Sequence, residues 1–227
     1  MTYSLAGRCP VTGQIGFAVA TSSVCVGARV GAVTQGCVVF SQARTDPRLH
    51  AVGLSAWATT QDAQETLTAM VVAATAPHWR QLGVLPATGT PAHHTGSSCL
   101  AHCGAHIGAH SMSLGNFLGS DRVLPDMVDA FETASGTLAE RLLTGMRAGE
   151  AAGSENEPLQ SGAIIVMGTE DIKDVDLRVD FSSDPLSDMG RLLADWQPKA
   201  AAYRIRALDP DNAPSSADVE RVAPAGS

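Results

Sequence analysis

The residues with the most overt chemistry stand mid-chain. His93, His94, His102, His106 and His110 fall within 18 residues, with Cys99 and Cys103 among them. Imidazole and thiolate at that density are the donors that zinc and other soft divalent ions take. The spacing argues the other way. Cys99–Cys103 and His102–His106–His110 would line up on a helix, but Gly96, Gly104 and Gly108 make this a poor helix, and no second paired-ligand motif completes a closed site. The segment is therefore expected to be an exposed or half-buried β region, and no metal is assigned. Cys9, Cys25 and Cys37 are isolated and read as small buried hydrophobes. No Gly-x-Ser-x-Gly, P-loop or Gly-x-Gly-x-x-Gly pattern occurs, which leaves α/β serine hydrolysis and nucleotide binding without support. A quieter candidate is Thr2. A threonine hydroxyl needs a base, and an N-terminal threonine carries its own: an α-amine with an ordinary pKa of ~7.7–8.0. Removal of Met1 would create that residue at the head of an apolar strand.

The elements that would position these groups follow from periodicity. Tyr3, Leu5, Val11, Ile15, Phe17 and Val19 flank the turn cluster Cys9–Gln14, which predicts a β-hairpin. Cys37–Ser41 reads as a third strand. A helix is expected over about 60–76, capped by Thr59 or Thr60, with Ala63, Leu67, Met70, Val71 and Ala74 as its apolar stripe. Short strands are expected at 82–85, 92–95, 99–102 and 111–114. Helices follow at about 122–134 and 138–148, then a buried strand over 162–167 and another over 177–181. Asp184-Pro185 supplies a cap and first-turn proline for a helix carrying Leu186, Met189, Leu193 and Trp196. The strands group together and the helices come in blocks, so an α+β layered sandwich is expected rather than βαβ alternation. One domain spans 1–206; the Pro-, Ala- and Asp-rich segment 207–227 is expected to be a disordered tail.

Composition bounds the partners. Fifteen Lys plus Arg against 23 Asp plus Glu give a net charge of −8, and Lys173 and Lys199 are the two lysines. So acidic a chain is poorly suited to nucleic acid or anionic membranes. No apolar run nears the ~20 residues of a spanning helix. Without a secretory leader, and with five cysteines, the sequence points to a reducing, cytoplasmic setting.

The order of short motifs carries a resemblance. Thr2-Tyr3-Ser4-Leu5-Ala6-Gly7 leading to Pro10-Val11-Thr12-Gly13 resembles the start of the family named domain of unknown function 1028, whose members begin Thr-Phe-Ser-Ile. The likeness continues through Gly16–Ala20, Val26–Ala28, Ser41-Gln42-Ala43, Asp46-Pro47-Arg48, Arg80-Gln81-Leu82, His94-Thr95-Gly96, Cys99 and Gly115–Leu118. It ends with Glu150–Gly153, Leu159–Ala163 and Asp176–Asp180, and covers roughly Thr2 to Trp196.

The resemblance implies the four-layer αββα sandwich of N-terminal nucleophile (Ntn) hydrolases, with Thr2 as nucleophile and, through its amine, general base. It also implies hydrolysis of a small linear or cyclic amide, with no metal or organic cofactor. Asn116 is then the expected oxyanion donor. Gln160 and Ser161 would orient the Thr2 amine or hold substrate, Ser22 would lie near the nucleophile, and Gln42, Arg44 and Arg48 could bind a substrate carboxylate. The loop Ser154–Leu159 departs from the basic, glycine-containing family pattern by carrying Glu155 and Glu157, which favours a neutral or cationic amide. Asp46 stands where the family often has Asn. A homodimer or larger homo-oligomer is expected from the Ala- and Leu-rich composition. The alternative is a non-catalytic binding or scaffold protein on the same fold.

Overall fold

The structure, a computed structural model, describes residues 2–224. Two antiparallel sheets face each other and helices cover their outer surfaces. The first sheet has six strands: β1 (Thr2–Arg8), β2 (Ile15–Thr21), β7 (Gly104–Ile107), β8 (Ser111–Asn116), β9 (Ser161–Met167) and β10 (Lys173–Val179), in the order β10-β9-β2-β1-β8-β7. The second holds β3 (Gly31–Val33), β4 (Cys37–Ala43), β5 (Arg80–Pro86) and β6 (Ala92–Thr95), in the order β3-β4-β5-β6. Helices α3 (Val123–Thr133), α4 (Leu138–Ala151) and α5 (Pro185–Leu208) pack on the six-stranded sheet. Helices α1 (Arg48–Thr60) and α2 (Ala63–Ala73) pack on the four-stranded sheet. The expected four-layer α+β sandwich is therefore the observed architecture.

Strand alternation decides which side chains meet which layer. On β1, Tyr3 and Leu5 turn outward into the core under α3 and α4 with Phe131, Leu142 and Met146. Ala6 turns inward and joins Phe17, Phe40, Leu85, Met112 and Leu114 between the sheets. Phe17 and Phe40 meet edge to face there, with ring centroids 5.4 Å apart. Thr2 and Ser4 share the inward parity of Ala6, so the polar end of β1 points at the second sheet. Gly16 lets β2 and β9 approach, since a Cβ there would stand 2.8 Å from the Val166 Cα.

Several boundaries differ from expectation, each for a local reason. The helix expected over about 60–76 is α2, and a further helix, α1, precedes it. Gln61 takes a left-handed conformation, φ 49°, and ends α1. Asp62, rather than Thr59 or Thr60, caps α2 by accepting the Glu65 N–H at 2.8 Å. Helix α1 buries only Leu49 and Gly53, too thin an apolar stripe to stand out in the sequence. The strand expected at 99–102 is absent. His102 (φ 50°) and Gly104 (φ 153°) turn the chain there, and pairing begins instead at Gly104 on β7. Helix α5 starts on the Asp184 cap and Pro185 and runs on to Leu208. Beyond it, Ser216–Glu220 forms a short helix, α6, with Val219 buried. Lys199 binds Asp195 at 2.8 Å and Glu220 at 3.1 Å, which ties α6 to α5. Among the described residues, no helix is long and apolar enough to cross a membrane.

Candidate functional site

The head of β1 sits at the centre of the larger sheet. Thr2 pairs with Asn116 at the end of β8, and the β1–β2 register places it beside Thr21 at the end of β2. Its Oγ1 lies 3.5 Å from the Thr21 Oγ1, and the residue is 5% exposed. Asn116 continues the inward parity of Met112 and Leu114, so its amide enters the space between the sheets on the same side as Thr2 and Ser4.

A buried polar network fills that space. Ser4 Oγ donates to Gln42 Oε1 at 2.6 Å, and Gln42 Nε2 donates to Gln81 Oε1 at 2.8 Å. Asn116 Nδ2 donates to the same Gln81 oxygen at 3.0 Å. Gln81 Nε2 in turn reaches the carbonyl of Gly115 at 2.9 Å, that of Gly104 at 3.0 Å and the Thr95 hydroxyl at 3.1 Å. Gln81 is wholly buried, so these bonds replace water entirely. The network fixes the Asn116 rotamer through one amide N–H and leaves its nitrogen a second N–H.

A carboxylate closes the other flank. Glu155 is 6% exposed, and its Oε2 accepts the Ser22 backbone N–H at 2.9 Å. Burial pushes its carboxyl up from the ordinary range, while hydrogen bonds from Ser22 and Thr21 act to hold it down. Three non-glycine residues beside these groups take left-handed conformations: Ala43 after Gln42 (φ 68°), Phe117 after Asn116 (φ 58°) and Ser154 before Glu155 (φ 54°). Such backbone is retained where the surrounding packing over-determines it, and it recurs at functional sites.

The other candidates divide into supports and outliers. Ser161, opposite Thr21 on β9, gives its Oγ–H to the Ser23 carbonyl at 2.6 Å and accepts the Val26 N–H at 3.1 Å, pinning the loop after β2. Gln160 enters through its backbone, with its N–H on the Thr21 carbonyl at 2.8 Å. Arg44 stacks its guanidinium over the Trp79 ring, 3.9 Å from the centroid. Arg48 forks onto Asp46 with bonds of 2.9 and 2.8 Å and holds that carboxyl down at about 2. Thr2, Gln42 and Asn116 are thus brought together, and Ser22 binds Glu155 on the flank beside them. Arg44 and Arg48 are engaged outside this group.

Gln81 and Glu155 are the members that residue-type reasoning did not single out. A lone Gln on an apolar strand carries no spacing signal, and Glu155 reads only as part of the charge of its loop. The histidine cluster, in contrast, is divided between layers. His93 and His94 lie on β6 of the smaller sheet, and His106 lies on β7 of the larger one. Among the described residues, no three His, Cys, Asp or Glu side chains converge as a metal site. His102, Cys103 and His106 instead line a cleft of about 270 Å³ against α3.

The arrangement can be compared with known proteins. A family model described as a family of unknown function, DUF1028, matches residues 2–189. The chain belongs to the DUF1028 family. The match spans every residue of the network, from Thr2 through Gln81 and Asn116 to Glu155 and Ser161. The crystal structure of the DUF1028 protein SPO2555 from Silicibacter pomeroyi is similar, with a TM-score of 0.80 at 26% sequence identity. That likeness covers 98% of this chain and 92% of the other. No curated protein matches the chain.

Proposed function

We propose that this DUF1028 protein is an amide hydrolase of the N-terminal nucleophile type, acting through Thr2 once the Met1–Thr2 bond is cleaved. The observation that carries the reading is the placement of Thr2. It begins the central strand, faces the space between two sheets, and lies across the β1–β8 ladder from a side-chain amide held in place. The Thr2 Oγ attacks the amide carbonyl while the Thr2 α-amine takes the hydroxyl proton. The second N–H of Asn116 Nδ2 stabilises the oxyanion. The proton then passes from the ammonium to the leaving nitrogen, the amine departs, and a Thr2 ester remains. Water, deprotonated by the same amine, hydrolyses that ester and restores the hydroxyl.

The lysines support this choice of base. Lys173 is tied to Asp176 at 2.6 Å and Lys199 to Asp195 and Glu220, so each already serves a carboxylate. An acidic chain whose buried site carboxylate is Glu155 suits a neutral or cationic amide better than an anionic one.

Intact-mass measurement and hydroxylamine trapping over a panel of amides and lactams test the proposal. Loss of Met1 and a Thr2-linked hydroxamate-releasing adduct are expected, retained in Thr2→Ser and absent in Thr2→Ala. Retention of Met1, or turnover that survives in Thr2→Ala, contradicts the mechanism. Ligand binding without any adduct would favour the non-catalytic binding role.

A further inference from the structure

The corner ahead of Thr2 holds a carboxylate with one oxygen unpaired among the described residues. Glu155 Oε2 takes the Ser22 N–H, but among the described residues Glu155 Oε1 is buried without a hydrogen-bond partner. A buried carboxylate oxygen in that state calls for a donor.

The backbone places that oxygen at the head of β1. Thr2 pairs with Asn116 on β8, and two residues further along the same chain Leu118 pairs antiparallel with Glu155. Glu155 therefore continues the ladder beyond the point where Thr2 begins. From the opposite side, the pairing of Tyr3 with Ala20 sets the amino side of Thr2 toward Ser22, whose N–H goes to Glu155. Both neighbours of β1 thus meet Glu155 just ahead of Thr2. Ser154, immediately before Glu155, takes a left-handed conformation, φ 54°.

We propose that Glu155 is a positioning residue that binds the freed Thr2 ammonium through Oε1 and sets both its orientation and its proton affinity. This rests on the N-terminal nucleophile reading above. The ammonium offers three N–H donors. One on Oε1 restrains rotation about the Thr2 N–Cα bond, so that the lone pair of the neutral amine is directed at the Thr2 hydroxyl.

The charge pairing works in both directions. Burial raises the Glu155 carboxyl, and an adjacent ammonium would favour its ionised form. By the same interaction, ionised Glu155 raises the amine. Titratable groups near the corner include Tyr3 on β1, whose phenol feels Glu155 and Glu150, with Asp184 and Arg147 beyond Glu150. Glu157 lies in the same loop as Glu155, and Cys99, His102 and Cys103 lie in the loop whose His102 carbonyl accepts the Leu118 N–H. Burial keeps the Tyr3 phenol protonated. Strands β2, β8 and β9 present Thr21, Asn116 and Ser161, which do not titrate in this range.

The amine midpoint can be read without any substrate. Competitive acetylation of the Thr2 α-amine by acetic anhydride, followed by peptide mass spectrometry over about pH 6–10, gives it directly for the full-length protein. The wild-type midpoint is expected above the ordinary ~7.7–8.0. In Glu155→Gln, which keeps an acceptor for Ser22, it should fall by about 1–3 units, at least a tenfold gain in neutral amine below the midpoint. Glu155→Asp, which keeps the charge, should restore more than half of the shift. Equal midpoints in wild type and Glu155→Gln would overturn the proposal. So would a wild-type midpoint within or below the ordinary range, a result that needs no variant to fold. Retained Met1 would overturn it together with the nucleophile reading. A midpoint that shifts in a protein hydrolysing no amide would uphold Glu155 and reject the hydrolase.

Discussion

Replacing Gln81 by leucine tests whether the network between the sheets is a unit on which the site depends. The side chain is fully buried; its oxygen accepts two hydrogen bonds and its two amide N–H groups are shared among three acceptors. Leucine fits a similar volume but accepts and donates nothing. The amides of Gln42 and Asn116 then each lose a buried acceptor, at about 1–3 kcal/mol apiece, or about 4 kcal/mol together at mid-range. Burial of the leucine methyls returns about 2 kcal/mol, so a net loss of about 2 kcal/mol is expected. For a chain of this size that corresponds to a fall of roughly 4–8 °C in Tm. Calorimetry and urea titration read it, with Gln64→Leu on the exposed face of α2 as the control, expected within about 0.5 kcal/mol of wild type. Asn116 would also lose the bond that fixes its rotamer, so trapping at Thr2 should weaken with it. A Gln81→Leu protein as stable as the control, with trapping unchanged, would show that the sheets tolerate the loss and refute the account of the network.

Two further outcomes are expected. Asp46, held at about 2 by Arg48, lies below its unfolded value of about 3.9, so its stabilising effect is full above that value and lost as pH falls through about 2. The urea midpoint of Asp46→Asn should therefore lie below wild type at neutral pH and converge with it in acid; a gap independent of pH would contradict the pairing. Ser161→Ala leaves the Val26 N–H without its acceptor and should cost about 1–3 kcal/mol. Its signature is faster amide exchange at Val26, and unchanged protection there would show that the loop after β2 is held by other contacts.

Legibility in the sequence followed the range of the interaction. The β1–β2 hairpin, the buried run of β9, the stripes of α3 and α4, and the Asp184-Pro185 start of α5 were all readable, because each depends on spacing within a few residues. Helix α1 was not, since its buried face is little more than Leu49 and Gly53. The turn that moved a strand from 99–102 to β7 depends on left-handed His102, a conformation its residue type does not announce. The histidine cluster looked like one feature along the chain, yet β6 and β7 belong to different sheets.

The site shows the same division. By itself the sequence determined that Thr2 opens an apolar strand and that Asn116 ends another, since alternation and turn residues are local properties. Only the tertiary structure decided that those two strands are neighbours, that Gln42 and Gln81 meet them from the opposite sheet, and that Glu155 is buried ahead of Thr2. Those contacts join residues 35–39 positions apart between Ser4, Gln42, Gln81 and Asn116 and 133 apart between Ser22 and Glu155. No period in the chain encodes such separations. They are set by the order of strands in two sheets, which hydrophobic burial selects for the molecule as a whole.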